Sequence, residues 1–418
     1  MQLESLRSTW FLLRQSIVFW TGIAIIIWTY SATFVQDVLV YGAFAFALFH
    51  ASRGAGAWKQ PAGIAFIIVL LYGLLMLPFS THIDLSLRDF SGMVKLLAGM
   101  FAIPVIFCSR SRIQAALFYS AAAITLTIGY DTARLAWQLG PALLAKAHAF
   151  RPFILNHSNV ASMMAGASTF ILFYFFWIWR RQRWAALACL LGMTLCLAYQ
   201  VIVASRGPQI AFALAVACFG LLLPGWRRKT IWLAALAVMT GIALTQAEHI
   251  NHRFSEKKSM ASFSSRDVVW KHTWKLVQEH PVFGYGYGKK DFREVYYNSN
   301  PPPSPFKYPH CHQFWLQLLF EFGWTGLVLH LTAWLILAVS LLRHIYSRLT
   351  FEERLLPGTI GLILLFINFY GLGDYPDNIV QVAQFWLIPL ALMLMHVENV
   401  PLKKAMCSGG LGFRVQED

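Results

Sequence analysis

Charge is scarce in this chain of 418 residues: only 13% are charged, and the 19 acidic residues are outnumbered by 34 Lys and Arg. A soluble domain carries about 25% charged residues, so a water-bathed globule is excluded for the chain as a whole. Segments of ~10 alternating residues, the mark of a membrane barrel, are absent. So is an internal repeat of the transporter kind. The six cysteines do not pair by pattern. Cys108, Cys189, Cys196 and Cys218 fall in or at the ends of apolar segments, while Cys311 and Cys407 stand apart, so no disulfide framework is implied. The N-terminus lacks a small-residue cleavage site, which predicts a first apolar segment retained as an anchor.

What fills the chain instead is apolar: 57% hydrophobic residues, with 16 Trp and 33 Phe. Runs such as Ile64–Pro78 and Ile231–Thr245 hold no charge. Stretches of ~20 such residues cross a bilayer as helices. The fold class expected is an all-α integral membrane protein of about twelve transmembrane helices, with one large extramembrane loop containing an amphipathic helix. The spans fall at 15–33, 36–51, 61–79, 90–108, 113–131, 158–179, 184–203, 208–224, 230–247, 313–342, 357–373 and 379–397. The tenth is longer than a bilayer needs, so it tilts or projects. Residues 1–247 thus hold the first nine helices, 248–312 the loop, 313–397 the last three helices and 398–418 a tail.

A net charge of +15 suggests nucleic acid, but its distribution argues for a lipid bilayer and no nucleic-acid partner. Basic residues gather at every second junction: Arg110 and Arg112, Arg180 to Arg183, Arg227 to Lys229, Arg343 to Arg354, Lys403 and Lys404. This is the bias of cytoplasmic loops, and it predicts cytoplasmic termini with the 248–312 loop on the opposite face.

The polar residues of that opposite face carry the chemistry. Arg206 lies in Ser205-Arg206-Gly207-Pro208, where Gly-Pro breaks a helix and frees backbone N–H groups. An arginine there can bind an anion or can merely snorkel to the membrane edge. Arg266 is expected to open an amphipathic helix capped by Ser264 or Ser265, sharing a face with Trp270, Trp274 and Val277. That position is equally compatible with an anion site and a headgroup anchor. Gly284, Gly286 and Gly288 lack the context of a dinucleotide motif and read as a tight turn. Asn298 to Pro305 reads as a stiff, extended linker. His310-Cys311-His312 places three donor atoms in a row, yet adjacent residues rarely converge on one metal, and no metal site is expected. His312 is followed by Gln313, Gln317 and Glu321, a polar stripe on an apolar helix that faces a cavity or a partner rather than lipid. Asp374, with Asp377, sits in a short turn on the same face, as do Arg88 and Lys95 near an earlier connection. There is no Walker A motif and no DxD carboxylate pair, so compensation of a bound diphosphate falls to Arg and Lys.

Three segments together carry a resemblance: Ser265-Arg266-Asp267-Val268-Val269-Trp270, Glu279-His280-Pro281-Val282-Phe283-Gly284-Tyr285-Gly286, and His312-Gln313-Phe314-Trp315-Leu316-Gln317 continuing to Gly323. They resemble the shared core of the O-antigen ligase and polymerase superfamily, and Ser205-Arg206-Gly207 is similar to that family's upstream arginine. Gln313 departs from the family's usual Asn, but it still offers a hydrogen-bonding amide. The resemblance implies a GT-C-like glycosyltransferase of the bacterial inner membrane whose large loop and active site are periplasmic. The implied donor is an undecaprenyl-diphosphate-linked O-antigen and the acceptor is lipid A–core oligosaccharide. On this basis Arg206 and Arg266 are expected to bind the diphosphate, and His312 to act as catalytic base in a metal-independent, inverting transfer that needs no cofactor. His310, Asp374, Arg88, Lys95 and Gln313 are secondary candidates. An O-antigen polymerase of the same superfamily and a lipid-linked glycan flippase are the alternatives.

Overall fold

The computed structural model describes residues 33–140, 158–203, 205–223, 225–232, 234, 258–301, 310–348, 350–373 and 379–399. Among them there is no strand. The helices are α1 (Thr33–Phe49), α2 (Ala51–Trp58), α3 (Pro61–Met76), α4 (Ile83–Ile106), α5 (Arg110–Leu139), α6 (Ser158–Trp179), α7 (Arg183–Val203), α8 (Arg206–Phe219), α9 (Lys258–Glu279), α10 (Lys289–Asn298), α11 (Phe314–Tyr346), α12 (Phe351–Gly371) and α13 (Ile379–Asn399).

Local sequence explains where several of them start. Pro61 occupies the first turn of α3, where its missing N–H costs nothing. Ser109 caps α5 by accepting the Arg112 N–H. Thr350 and Glu353 form a reciprocal capping box at α12.

Among the described residues six helical segments are long and apolar enough to cross a bilayer: Pro61–Phe79, Arg110–Leu139, Ser158–Trp179, Arg183–Val203, Phe314–Tyr346 and Phe351–Gly371. Shorter apolar helices lie at Leu97–Ile106, Arg206–Phe219 and Leu387–Glu398. Their outward faces carry Leu75, Leu126, Leu191 and Leu335, all more than half exposed, an apolar surface suited to lipid. The first expected span and most of the ninth lie outside the described residues.

Inside the bundle α6 packs along α7, α3 along α11, and α8 along α12. The core is aromatic: Phe170, Phe212 and Phe366 meet across three helices, beside Gly166, where a Cβ would stand 2.7 Å from the Phe366 ring. At the end of the bundle rich in Arg, Glu398 of α13 is held by Arg110 (2.8 Å), His344 (2.7 Å) and Arg348 (3.1 Å), tying α5, α11 and α13 together.

The feature that positions the opposite end is a break in α11. Gly323 leaves the helical conformation with φ 63° and ψ −169°. The long tenth span therefore resolves into a short helix, Phe314–Phe322, and a second from Trp324 to Tyr346 that at ~1.5 Å per residue crosses a bilayer alone. In an unbroken helix Trp324 N–H would bond Phe320 O, and Thr325 N–H would bond Glu321 O. Here the Pro281–Gly286 turn takes both halves of each bond. Tyr285 N–H donates to Phe320 O (2.9 Å) and Gly286 N–H to Glu321 O (3.1 Å). Trp324 N–H donates to Pro281 O (2.7 Å) and Thr325 N–H to Val282 O (3.3 Å). Tyr72 Oη of α3 supplies a fifth bond, to Phe322 O at 3.1 Å.

This close backbone approach is what the glycines serve. A Cβ at Gly284 (φ +72°) would lie 2.5 Å from Phe320 O, and one at Gly323 would collide with the Val282 carbonyl. Gly323→Val is expected to lower the melting temperature in detergent by several degrees and to accelerate amide exchange at residues 281–286. An unchanged melt would contradict this docking.

Candidate functional site

Three chain segments approach the C-terminal end of α12 and the middle of α9. The first is the α7–α8 junction. Ser205 precedes α8 but does not cap it, because its hydroxyl instead donates to Asn159 Oδ1 of α6. Gln209 holds the junction to α7 through Gln200 O at 2.8 Å. Arg206 is thus the first residue of a helix whose opening N–H groups lack a side-chain cap, and the positive end of the helix dipole adds to its guanidinium. Gly207 abuts the Tyr370 ring, where a Cβ would lie 3.4 Å away.

The second segment is α9. It begins at Lys258, so Ser264 and Ser265 do not cap it, and Arg266 lies two turns inside rather than at a positive terminus. The propensity of Ser for caps is overridden because helical geometry continues upstream. The helix terminus that favours an anion is therefore that of α8, not α9. Arg266 Nη1 donates to Gly373 O at 2.6 Å, and Gly373 N–H donates to Tyr370 O at 3.1 Å. Gly207, the neighbour of Arg206, and Arg266 itself thus both approach the C-terminal end of α12, the first at Tyr370 and the second at Gly373. Asp374, which follows Gly373, lies outside the described residues, as does most of the Asn298–Pro305 linker.

The third segment is the His310–Cys311–His312 turn. Trp270, one turn along α9 from Arg266, donates Nε1–H to Cys311 O at 2.8 Å. Four residues of helix are ~6 Å, so one face of α9 holds both the end of α12 and the His turn. His310 is buried (3% exposed), and its Nδ1 accepts the His312 N–H at 3.2 Å. His312 is half-buried, with a left-handed φ of 56°. Cys311 Sγ turns to Gln313 O at 3.0 Å. Among the described residues no group of three His, Cys, Asp or Glu is placed to hold a metal ion.

The secondary candidates separate. His310 belongs to the turn itself, and Gln313 starts α11 and borders an open groove of about 890 Å³ between α9 and α11, lined by Trp270, Trp274, Trp315 and Trp324. Arg88 lies exposed on α4, and Lys95 lies two turns further along the same helix. Gln317 and Glu321 of the polar stripe are turned inward, 1% and 2% exposed, against the loop.

Sequence reading missed a buried acidic group beside the docked turn. Asp291 in α10 is fully buried, with His82 Nδ1 3.9 Å away. Asp89 of α4 caps α10 by accepting Lys290 N–H at 2.9 Å. Burial first, then the carboxylates of Asp89, Asp84 and Glu294, push Asp291 up to about 7, opposed by the Ser80 hydroxyl. The only sequence signal was Asp291 aligned with Phe292 and Tyr296 on one face of a short amphipathic helix.

The fold and the loop define a class: among the described residues, an all-helical membrane protein with a polar loop docked into a broken span. Residues 191–331, which contain Arg206, Arg266 and His312, match the family model described as O-antigen ligase. No curated protein matches the chain.

Because its folded value is raised, Asp291 holds a proton in the native state that the unfolded chain has already lost between about pH 4 and pH 7. Stability therefore falls as pH rises through that window and is lowest above it. Asp291→Asn is expected to raise the melting temperature clearly at pH 8 and far less at pH 5. Equal shifts at both would contradict a buried, raised carboxyl.

Proposed function

We propose that this protein is an O-antigen ligase of the bacterial inner membrane, with its termini cytoplasmic and its docked loop periplasmic. It transfers a glycan from undecaprenyl diphosphate to lipid A–core oligosaccharide. The observation that carries the reading is that the middle of α9 holds both Gly373 at the end of α12, through Arg266, and the His312 turn, through Trp270, with Gly207 beside Arg206 packed on Tyr370 of the same α12 end. Arg206, Arg266 and His312 all lie within the segment that matches the family.

The donor's anomeric carbon is already activated by its diphosphate. The acceptor hydroxyl oxygen attacks that carbon while the bond to the diphosphate oxygen breaks. The hydroxyl proton passes to the His312 imidazole, a residue type suited to proton exchange near neutrality. The negative charge that grows on the departing diphosphate is met by Arg206, Arg266 and the positive end of the α8 dipole. A single displacement inverts the anomeric centre. Metal is not required, because the arginines supply the compensating charge.

In a transfer assay with purified protein, lipid-linked glycan and lipid A–core, His312→Ala is expected to lower the rate by ~10²–10⁴-fold. Arg206→Ala and Arg266→Ala should each cost ~10²-fold or more, with protein still in the membrane. Full activity in all three would sink the site. Transfer should survive EDTA, and loss restored by a divalent cation would sink the metal-free step. Lengthening of the lipid-linked glycan in place of transfer to lipid A–core would make the protein a polymerase. Movement of intact lipid between leaflets, with no new bond, would make it a transporter.

A further inference from the structure

We propose that Gln317, oriented by Glu321, is a positioning residue that sets the His312 imidazole, and that through this pair the docking of the loop and the placement of the base are one event. The inference rests on the ligase reading and deepens it.

The His turn does not hold itself. His312 has a left-handed φ of 56°, a conformation that crowds a residue with a Cβ against its own carbonyl. Something must over-determine it, and the clamp is the backbone of Cys311. Its N–H donates to Gln317 Oε1 at 3.2 Å, and its C=O accepts from Trp270 Nε1 at 2.8 Å. The two peptide groups that flank the Cys311 Cα are thus held, one by α11 and the other by α9.

Gln317 can grip in one orientation only. Its Nε2 donates to Glu321 Oε1 at 2.9 Å, which turns Oε1 toward Cys311. The same Glu321 oxygen accepts the Gly288 N–H at 3.3 Å, from the turn that docks on the Gly323 break. A continuous chain of hydrogen bonds thus runs from Gly288 through Glu321 and Gln317 to Cys311 and its neighbour His312.

Stability alone does not account for the pair. Both side chains are buried in an otherwise apolar helix. Among the described residues Glu321 Oε2 has no hydrogen-bond partner, an arrangement that costs free energy in such surroundings. A buried polar pair held at that cost, and aimed at the turn that carries the base, is explained by positioning.

The test is steady-state transfer kinetics on the full-length purified protein, with undecaprenyl diphosphate binding measured beside it. A misplacement of about 1 Å costs ~10²-fold in rate, so Gln317→Leu is expected to lose roughly that in kcat. Its KM for either substrate should stay within about twofold and its affinity for undecaprenyl diphosphate should match wild type. Glu321→Gln keeps an acceptor oxygen for Gln317 and Gly288, so it should stay within about threefold of wild type, whereas Glu321→Leu should fall with Gln317→Leu. Trp270→Phe, which removes only the opposite grip, should reproduce the kcat loss and guards against a Gln317→Leu protein that fails to accumulate.

Wild-type kcat in Gln317→Leu and in Trp270→Phe would overturn the inference while leaving the ligase reading intact. Loss of diphosphate binding in step with kcat would overturn it as well, because Gln317 would then be a general prop. Absence of transfer by wild type to any acceptor would overturn the ligase reading and this assignment with it.

Discussion

A peptide group freed inside a bilayer has no water to turn to, and each unsatisfied one costs several kcal/mol. The break at Gly323 frees such groups in α11, at a buried position where the apolar bundle meets the loop, and everything at the loop end follows from how they are satisfied. The Pro281–Gly286 turn replaces the two severed helix bonds with four of its own. The loop is therefore joined to the bundle by backbone rather than by side-chain chance. Because the turn directly follows α9, docking it fixes α9, and α9 in turn holds Gly373 through Arg266 and Cys311 through Trp270.

Charged side chains hold the helices around that docked turn. Arg266 ties α9 to Gly373, just past the end of α12. Asp291 and Glu321 are both buried, and Glu321 accepts the Gly288 N–H at 3.3 Å. Asp89 joins α4 to α10 through Lys290, whose ammonium lies 3.5 Å from the Asp89 carboxylate.

Much of this was legible in the sequence. Apolar runs announced the spans from Pro61, Ser158, Arg183 and Phe351, because a bilayer leaves little freedom about length and composition. The Gly-Pro at 207–208 announced the break before α8, since proline is tolerated in the first turn of a helix but not in its interior. Other features were not legible, for physical reasons. A serine pair looked like a cap for α9, but capping is a weak local preference and the helix runs on upstream to Lys258. Gly323 looked like one small residue among many in a span, because its role depends on a partner turn some forty residues earlier. Gln317 and Glu321 looked like a stripe, and only the folded loop shows that their partners are backbone groups of Cys311 and Gly288. Asp291 carried almost no signal, since burial of a lone carboxylate is a tertiary fact.

The account stands or falls on the claim that docking at Gly323 assembles the arginine site. The direct measurement is the affinity of the purified protein for undecaprenyl diphosphate, comparing wild type, Arg266→Ala and Gly323→Val. The docking account predicts that Gly323→Val, which leaves both arginines in the chain, binds as weakly as Arg266→Ala. Wild-type affinity in Gly323→Val, with Arg266→Ala impaired, would mean that the arginines find the diphosphate without the docked turn.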